Sequence, residues 1–235
     1  MLSALGAKIV RTPTEAAFDD PRSHIMVARR LQRELPRAHI LDQYSNPSNP
    51  AAHEDGTAAE LKQQLPKGDK VDMLVCTAGT GGTITGMARR LRRDYPSCVV
   101  VGVDPRGSIL AVPDSLNDSK RGESYKVEGI GYDFVPDVLI RDEVNHWEKS
   151  EDLESFLMAR RIIKEEGMLV GGSSGAALAG ALRTIKTFQG GKFNRPDVTV
   201  VVVFGDSVRN YMSKFLRDEW MVDNGFLPPA RASKL

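Results

Sequence analysis

The sequence predicts an α/β fold, a doubly wound and mostly parallel sheet, on three observations. Its strand candidates are unbroken apolar runs such as CVVVGVD (98–104) and VTVVVVF (198–204), without the polar alternation of a sheet that faces water on one side. Helical patterns alternate with these runs at the spacing that right-handed crossovers need. Three runs end in glycine-rich or Gly-Asp turns, AGTGGT, GGSSG and FGDS, at the strand ends where such sheets bind ligands.

In chain order, LSALGAKIVRT reads as the last turn of a helix, a glycine cap and a strand over 7–12, so the chain is expected to be the later part of something longer. Periodicity then predicts a helix over 23–35, a strand over 38–42, a helix over 49–65 and a strand over 72–78. The glycine loop follows, with a helix to Asp94, the strand 98–104 and a polar surface excursion over 105–126. Beyond VEGIGYDFVP (127–136) come a helix over 152–166, a strand MLVGG, a small-residue helix SSGAALAGALRTIKTF, the strand 198–204 and a helix over 207–220. The end, DNGFLPPARASKL, has no apolar period and reads as a linker or tail.

Composition narrows the function classes. With 235 residues, 41% hydrophobic and 27% charged, the chain is long enough for a substantial core and is not a disordered or collagen-like polymer. A net charge of +1 gives no field that would gather nucleic acid or an acidic membrane, and Arg29, Arg30, Arg89, Arg90, Arg92 and Arg93 fall on solvated helix faces. Cys76 and Cys98, the two cysteines, sit in apolar strand patterns and are expected to be buried free thiols. That state suits a reducing compartment. No run has transmembrane length and the start lacks a secretory signal, so the expected location is the cytoplasm.

The loop VCTAGTGGTITGMARRLR (75–92) carries the first chemical signal. It has no lysine after Gly82 or Gly86, as a P-loop requires, and a GxGxxG fingerprint begun at Gly79 ends on Ile84. What remains is a short bend, Gly79-Thr80-Gly81-Gly82-Thr83, opening a helix: backbone N–H groups, two hydroxyls and the helix dipole aimed at one terminal phosphate. A turn whose glycines serve only close packing is the alternative. In the second loop, Gly171-Gly172-Ser173-Ser174-Gly175, either serine could be a helix cap, or a hydroxyl could face a ring nitrogen across the crevice.

Taken together, AGTGGTITG, VEGIGYDFVPDVL, LVGGSSG and DSVRNYMSKFL resemble the cysteine synthase/cystathionine β-synthase family, pyridoxal-phosphate enzymes of the tryptophan synthase β-like fold (fold type II), over 4–227. GTGGT is shared across that family, whereas EGIGYDF with DSVRNYMSKFL is typical of its cystathionine β-synthase branch. The resemblance implies that 1–42 are the remnant of a small domain, 43–227 a large cofactor-binding domain and 228–235 a tail. It implies pyridoxal 5'-phosphate as cofactor, with Gly79, Thr80, Gly81, Gly82 and Thr83 on its phosphate and Ser173 at its pyridine nitrogen. Gly129, Gly131 and Tyr132 match the substrate-facing loop, although Tyr132 also suits plain packing. The implied reaction is β-replacement on amino acids, in which serine and homocysteine give cystathionine, or cysteine as donor releases hydrogen sulfide. The implied assembly is a homodimer.

The resemblance also implies absences. The lysine that carries the cofactor would lie upstream of Met1, with most of the small domain and the haem ligands of animal members, so no catalytic lysine is expected among these residues. The twelve lysines present all fall on polar faces, helix edges or tails. Family members usually have proline before the aspartate at Phe204-Gly205-Asp206, which predicts a looser turn here. A cysteine synthase-like enzyme and a non-catalytic pyridoxal-phosphate-binding pseudo-enzyme remain alternatives. A dinucleotide dehydrogenase using Asp104 as its ribose acid is a further rival, weakened by the failed fingerprint.

Overall fold

The computed structural model describes residues 2–13, 16–66 and 68–228; of the expected tail, 229–235 lie outside the described residues. These residues divide into two compact units, one reaching to Asn46 and one beginning at Pro47.

The first unit contains a 3₁₀ turn (Leu2–Leu5) and one helix, α1 (His24–Glu34). Ser23 starts α1 by accepting the Met26 amide proton at 3.1 Å and anchors itself by donating to the Phe18 carbonyl at 2.9 Å. The segments expected as strands over 7–12 and 38–42 are not strands, and Asp42 at the end of the second has a left-handed φ of 44°. A strand exists only by pairing, and neither segment enters a ladder among the described residues. Their apolar side chains stay in solvent: Ile9, Val10 and Leu41 are 53%, 60% and 84% exposed.

The second unit opens with a continuous helical rod made of α2 (Ser48–Ala52), a π-helical turn (His53–Thr57) and α3 (Ala58–Gln64). Four strands follow, β1 (Met73–Thr77), β2 (Val99–Pro105), β3 (His146–Ser150) and β4 (Val200–Val202), in the order β3-β2-β1-β4 with every pairing parallel. Between them run α4 (Gly82–Asp94), α5 (Asp152–Glu166) and α6 (Gly172–Thr187). Side chains alternate across the sheet. Leu74, Cys76 and Val100 pack with Ile84, Met87, Ala88 and Leu91 of α4 on one face. Met73, Val75, Val101 and Val103 pack with α5 and α6 on the other. This is the doubly wound parallel arrangement the sequence predicts.

Several details depart from expectation. β3 was not predicted, because HWEKS has one large apolar residue, Trp147, among polar ones and so lacks the apolar run of an inner strand. MLVGG contributes only an isolated bridge between Val170 and Ser207. The helix expected over 207–220 breaks into a 3₁₀ turn (Val208–Tyr211) and α7 (Asp218–Asp223). Between them the Phe215 carbonyl accepts from Arg160 Nε, and Arg160 also pairs with Asp218 at 2.6 Å, which draws this carbonyl away from a helical ladder.

Arg90, Arg92 and Arg93 pair with Asp94, Glu143 and Glu54, consistent with a balanced surface rather than a polyanion footprint. Both cysteines are buried and free, and burial pushes the Cys98 thiol up to about 11. No helix among the described residues is long and apolar enough to cross a membrane.

Candidate functional site

The carboxyl ends of β1 and β4 are neighbours, since Met73, Leu74 and Val75 pair with Val200, Val201 and Val202. The glycine loop leaves β1 at this edge and the Phe204-Gly205-Asp206 turn leaves β4 beside it. Gly81 is the N-cap of α4, in the left-handed region at φ 85°, a conformation that favours glycine. Close packing also bears on these glycines. A Cβ on Gly79 would lie 2.7 Å from the Gly129 carbonyl oxygen, one on Gly81 2.5 Å from Leu139, and one on Gly82 1.8 Å from Asn49 Oδ1. Packing against protein therefore accounts for the glycines, and the hydroxyls carry the ligand argument.

Thr80 Oγ1 accepts from Asn49 Nδ2 at 3.1 Å and from the Gly82 amide at 3.4 Å. With both lone pairs committed, its own proton is left to donate. Thr83 Oγ1 is 3.1 Å from His53 Nε2, and His53 Nδ1 is 3.0 Å from Thr57 Oγ1. Burial pushes the His53 pKa down, which favours the neutral ring with one N–H. An Nε2–H donating to Thr83 frees that hydroxyl to donate outward as well. Such an approach needs the rod to lie close against α4, where a Cβ on Gly86 would be 2.1 Å from the Pro50 carbonyl oxygen. Two hydroxyl donors beside the first N–H groups of a 13-residue helix fit an anion, and a phosphate monoester is one that suits them.

Asn49 and His53 were missed by sequence reasoning, lying 31 and 30 residues from the threonines they contact. Their signal was present in NPAAHEDGT, polar groups spaced along a predicted helix.

Ser173 is the second residue of α6, half-buried, with Oγ 4.0 Å from where a Cβ on Gly205 would stand. It therefore shares the sheet edge with the glycine loop. The cap reading of the serines does not hold, because the N-cap is Gly171 with extended backbone. Asp206 holds the turn tightly: its carbonyl accepts from the Gly171 amide at 3.1 Å and its carboxylate from the Tyr211 hydroxyl at 2.7 Å.

The Gly129–Tyr132 loop docks on the end of β1, where the Gly131 amide donates to the Ala78 carbonyl at 2.7 Å. Gly129 and Gly131 have φ of 81° and 75°. Gly129 is exposed, Gly131 is buried, and Tyr132 is half-buried against the α4-side core with its ring 5.2 Å from Phe134.

Two sequence expectations change. The excursion over 105–126 is not all surface, since Ser108, Leu110, Ala111 and Asn117 are buried. Lys149 is on no polar face: its side chain is 7% exposed and pairs at 2.6 Å with Asp104, whose side chain is fully buried. That pairing and the Ala111 amide at 3.2 Å both engage Oδ2, and the complete burial of the Asp104 side chain argues against it as a ribose ligand.

Residues 1–205 match the family described as pyridoxal-phosphate dependent enzyme. The chain belongs to that family. Among this family's curated members, a cystathionine beta-synthase of Dictyostelium discoideum is 59% identical over 234 residues, 100% of this chain and 45% of the relative. One of Mus musculus is 56% identical over 227 residues, 97% of this chain and 39% of the relative. The chain thus spans less than half the length of these relatives. In the crystal structure of an O-acetylserine dependent cystathionine beta-synthase from Helicobacter pylori, the likeness has a TM-score of 0.77 at 32% identity. It covers 91% of this chain and 64% of that one.

Proposed function

We propose that these residues are the large-domain part of a pyridoxal-phosphate enzyme of amino-acid β-replacement, with serine and homocysteine as substrates and cystathionine as product. The carrying observation is the Thr80 hydroxyl, which accepts two hydrogen bonds and so has its proton to give to a phosphate oxygen. Thr83, oriented by His53, gives a second, and the backbone N–H groups that open α4 complete the cradle. Ser173 faces the pyridine nitrogen with a neutral hydroxyl, which does not hold that nitrogen protonated as a carboxylate would. Gly129, Gly131 and Tyr132 border the amino acid. When bound, the cofactor supplies an electron sink for bonds at the amino acid's α-carbon.

The lysine that carries the cofactor is contributed by sequence upstream of Met1 in the complete protein, which works as a homodimer in the cytoplasm. Lys149, the buried lysine beside Asp104, is committed to other partners. Identity of 56–59% to cystathionine beta-synthases supports this substrate pair.

The test has two arms. The complete protein should bind pyridoxal phosphate at least about tenfold more tightly than pyridoxal, a margin that two charge-assisted bonds supply. Equal binding of the two overturns the phosphate cradle. With cofactor, serine and homocysteine, the complete protein should form cystathionine and the 235-residue chain alone should not. Turnover by the chain alone would overturn the upstream lysine. Turnover of O-acetylserine with sulfide and not with homocysteine would move the protein to the cysteine synthase-like alternative; the donor alone does not decide, since the Helicobacter pylori structure is named an O-acetylserine dependent cystathionine beta-synthase.

A further inference from the structure

The ion pair between Lys149 and Asp104 is out of place on energetic grounds. A buried pair is commonly no more stabilising than apolar side chains of the same volume, because two charges have lost their water. Burial pushes the Asp104 carboxyl up, and the Lys149 ammonium beside it pulls the other way. The pair's advantage over an apolar filling is direction. Lys149 Nζ donates to three separate acceptors, Asp104 Oδ2 at 2.6 Å, the Ser108 carbonyl at 3.0 Å and Asn117 Oδ1 at 3.1 Å. Asn117 returns a bond to the Ala111 carbonyl at 2.9 Å. One ammonium at the end of β3 thereby fixes the segment after β2 at several points.

That segment grips the candidate substrate loop. The Tyr132 amide donates to Ser108 Oγ at 3.0 Å, and Ser108 Oγ donates to the Tyr132 carbonyl at 3.1 Å. The Ile109 amide donates to the same carbonyl at 3.0 Å. Gly131 is held from the same side, since a Cβ there would lie 2.5 Å from Pro105 and 2.9 Å from Ser108 Cβ. A single residue, Ser108, stands between the buried ammonium and the Tyr132 peptide.

We propose that Lys149 is a positioning residue, which through Ser108 sets the place of the Gly129–Tyr132 loop at the sheet edge and so the affinity for the amino-acid substrate. This rests on the reading of that loop as substrate-facing. This loop also packs on the glycine bend, where a Cβ on Gly79 would lie 2.7 Å from the Gly129 carbonyl oxygen, whereas the hydroxyls of Thr80 and Thr83 take their hydrogen bonds from Asn49 and His53.

The test uses the complete, cofactor-loaded protein with the charge-balanced variant Lys149→Met with Asp104→Asn, which leaves no unpaired buried charge, and separately Ser108→Ala. Hydrogen exchange at the Ile109 and Tyr132 amides should quicken by about tenfold or more in both variants, with exchange at 83–87 unchanged. The KM for serine should rise about fivefold to tenfold with kcat within about twofold, and combining all three substitutions should add little, as expected of one path. Unchanged exchange at Tyr132, or full additivity, overturns the proposal. Tyr132→Ala separates it from the reading beneath it. If Tyr132→Ala leaves KM unchanged, the loop is not substrate-facing. If that variant raises KM and the charge-balanced variant does not, the role of Lys149 alone has failed.

Discussion

At the scale of single residues, the form of the glycine loop, a strand running through a bend into a helix start, was legible because strand, glycines, threonines and helix start are consecutive in the chain. What the sequence could not display was the support from residues about thirty positions away, Asn49 and His53. Removing the hydroxyl tests that support directly. Thr80→Val removes the hydroxyl to which Asn49 Nδ2 and the Gly82 amide donate, so it should cost about 1–3 kcal/mol by urea denaturation, and pyridoxal phosphate should lose affinity where pyridoxal does not. Gly81→Ala should cost at least about 1–2 kcal/mol for its φ of 85°, before counting the contact with Leu139. His53 predicts a pH dependence. Burial holds its folded pKa below the ordinary 6.5, so the unfolded chain takes up a proton that the fold resists. Its contribution to stability is present above pH 6.5 and is lost as pH falls toward the folded value. His53→Gln should therefore show a shallower decline in urea midpoint between about pH 7 and 5. A steeper decline would remove burial as the cause.

Among elements, long periodic segments matched expectation best: α4, α5 and α6 fall within a few residues of their predicted ranges because each presents an apolar or small-residue face to one side of the sheet. Strands were less legible, since a strand is a property of two segments. AKIVRT and AHILD have the composition of strands and no ladder, while HWEKS has the ladder without the composition, because polar side chains fill part of its inner positions, Lys149 on Asp104 and Glu148 on Arg183 and Thr184. The packing of α6 is tested at Gly180, where a Cβ would meet Val103 Cγ2 at 2.7 Å. Gly180→Val should lift α6 from β2 and lower stability by about 1–3 kcal/mol, read from the urea midpoint. An unchanged midpoint would show that α6 has room the structure does not indicate.

For the whole molecule, the first 46 residues leave Leu2, Leu5, Ile9, Val10 and Leu41 each more than half exposed, more apolar surface than a small unit usually shows water. The 235-residue chain should therefore self-associate, and Val10→Lys with Leu41→Lys should reduce light scattering without lowering the urea midpoint. The sheet order bears on synthesis. β1 lies between β2 and β4, and the Thr199 amide closes onto Asp72 across 127 positions of chain. At ribosomal speeds that interval is about 6–25 s, during which β1 has one side bare while α4, α5 and α6 are still being made. A nascent chain held in that state is a natural client for chaperones, and premature stop codons ahead of Val200 should yield inclusion bodies rather than shortened soluble protein.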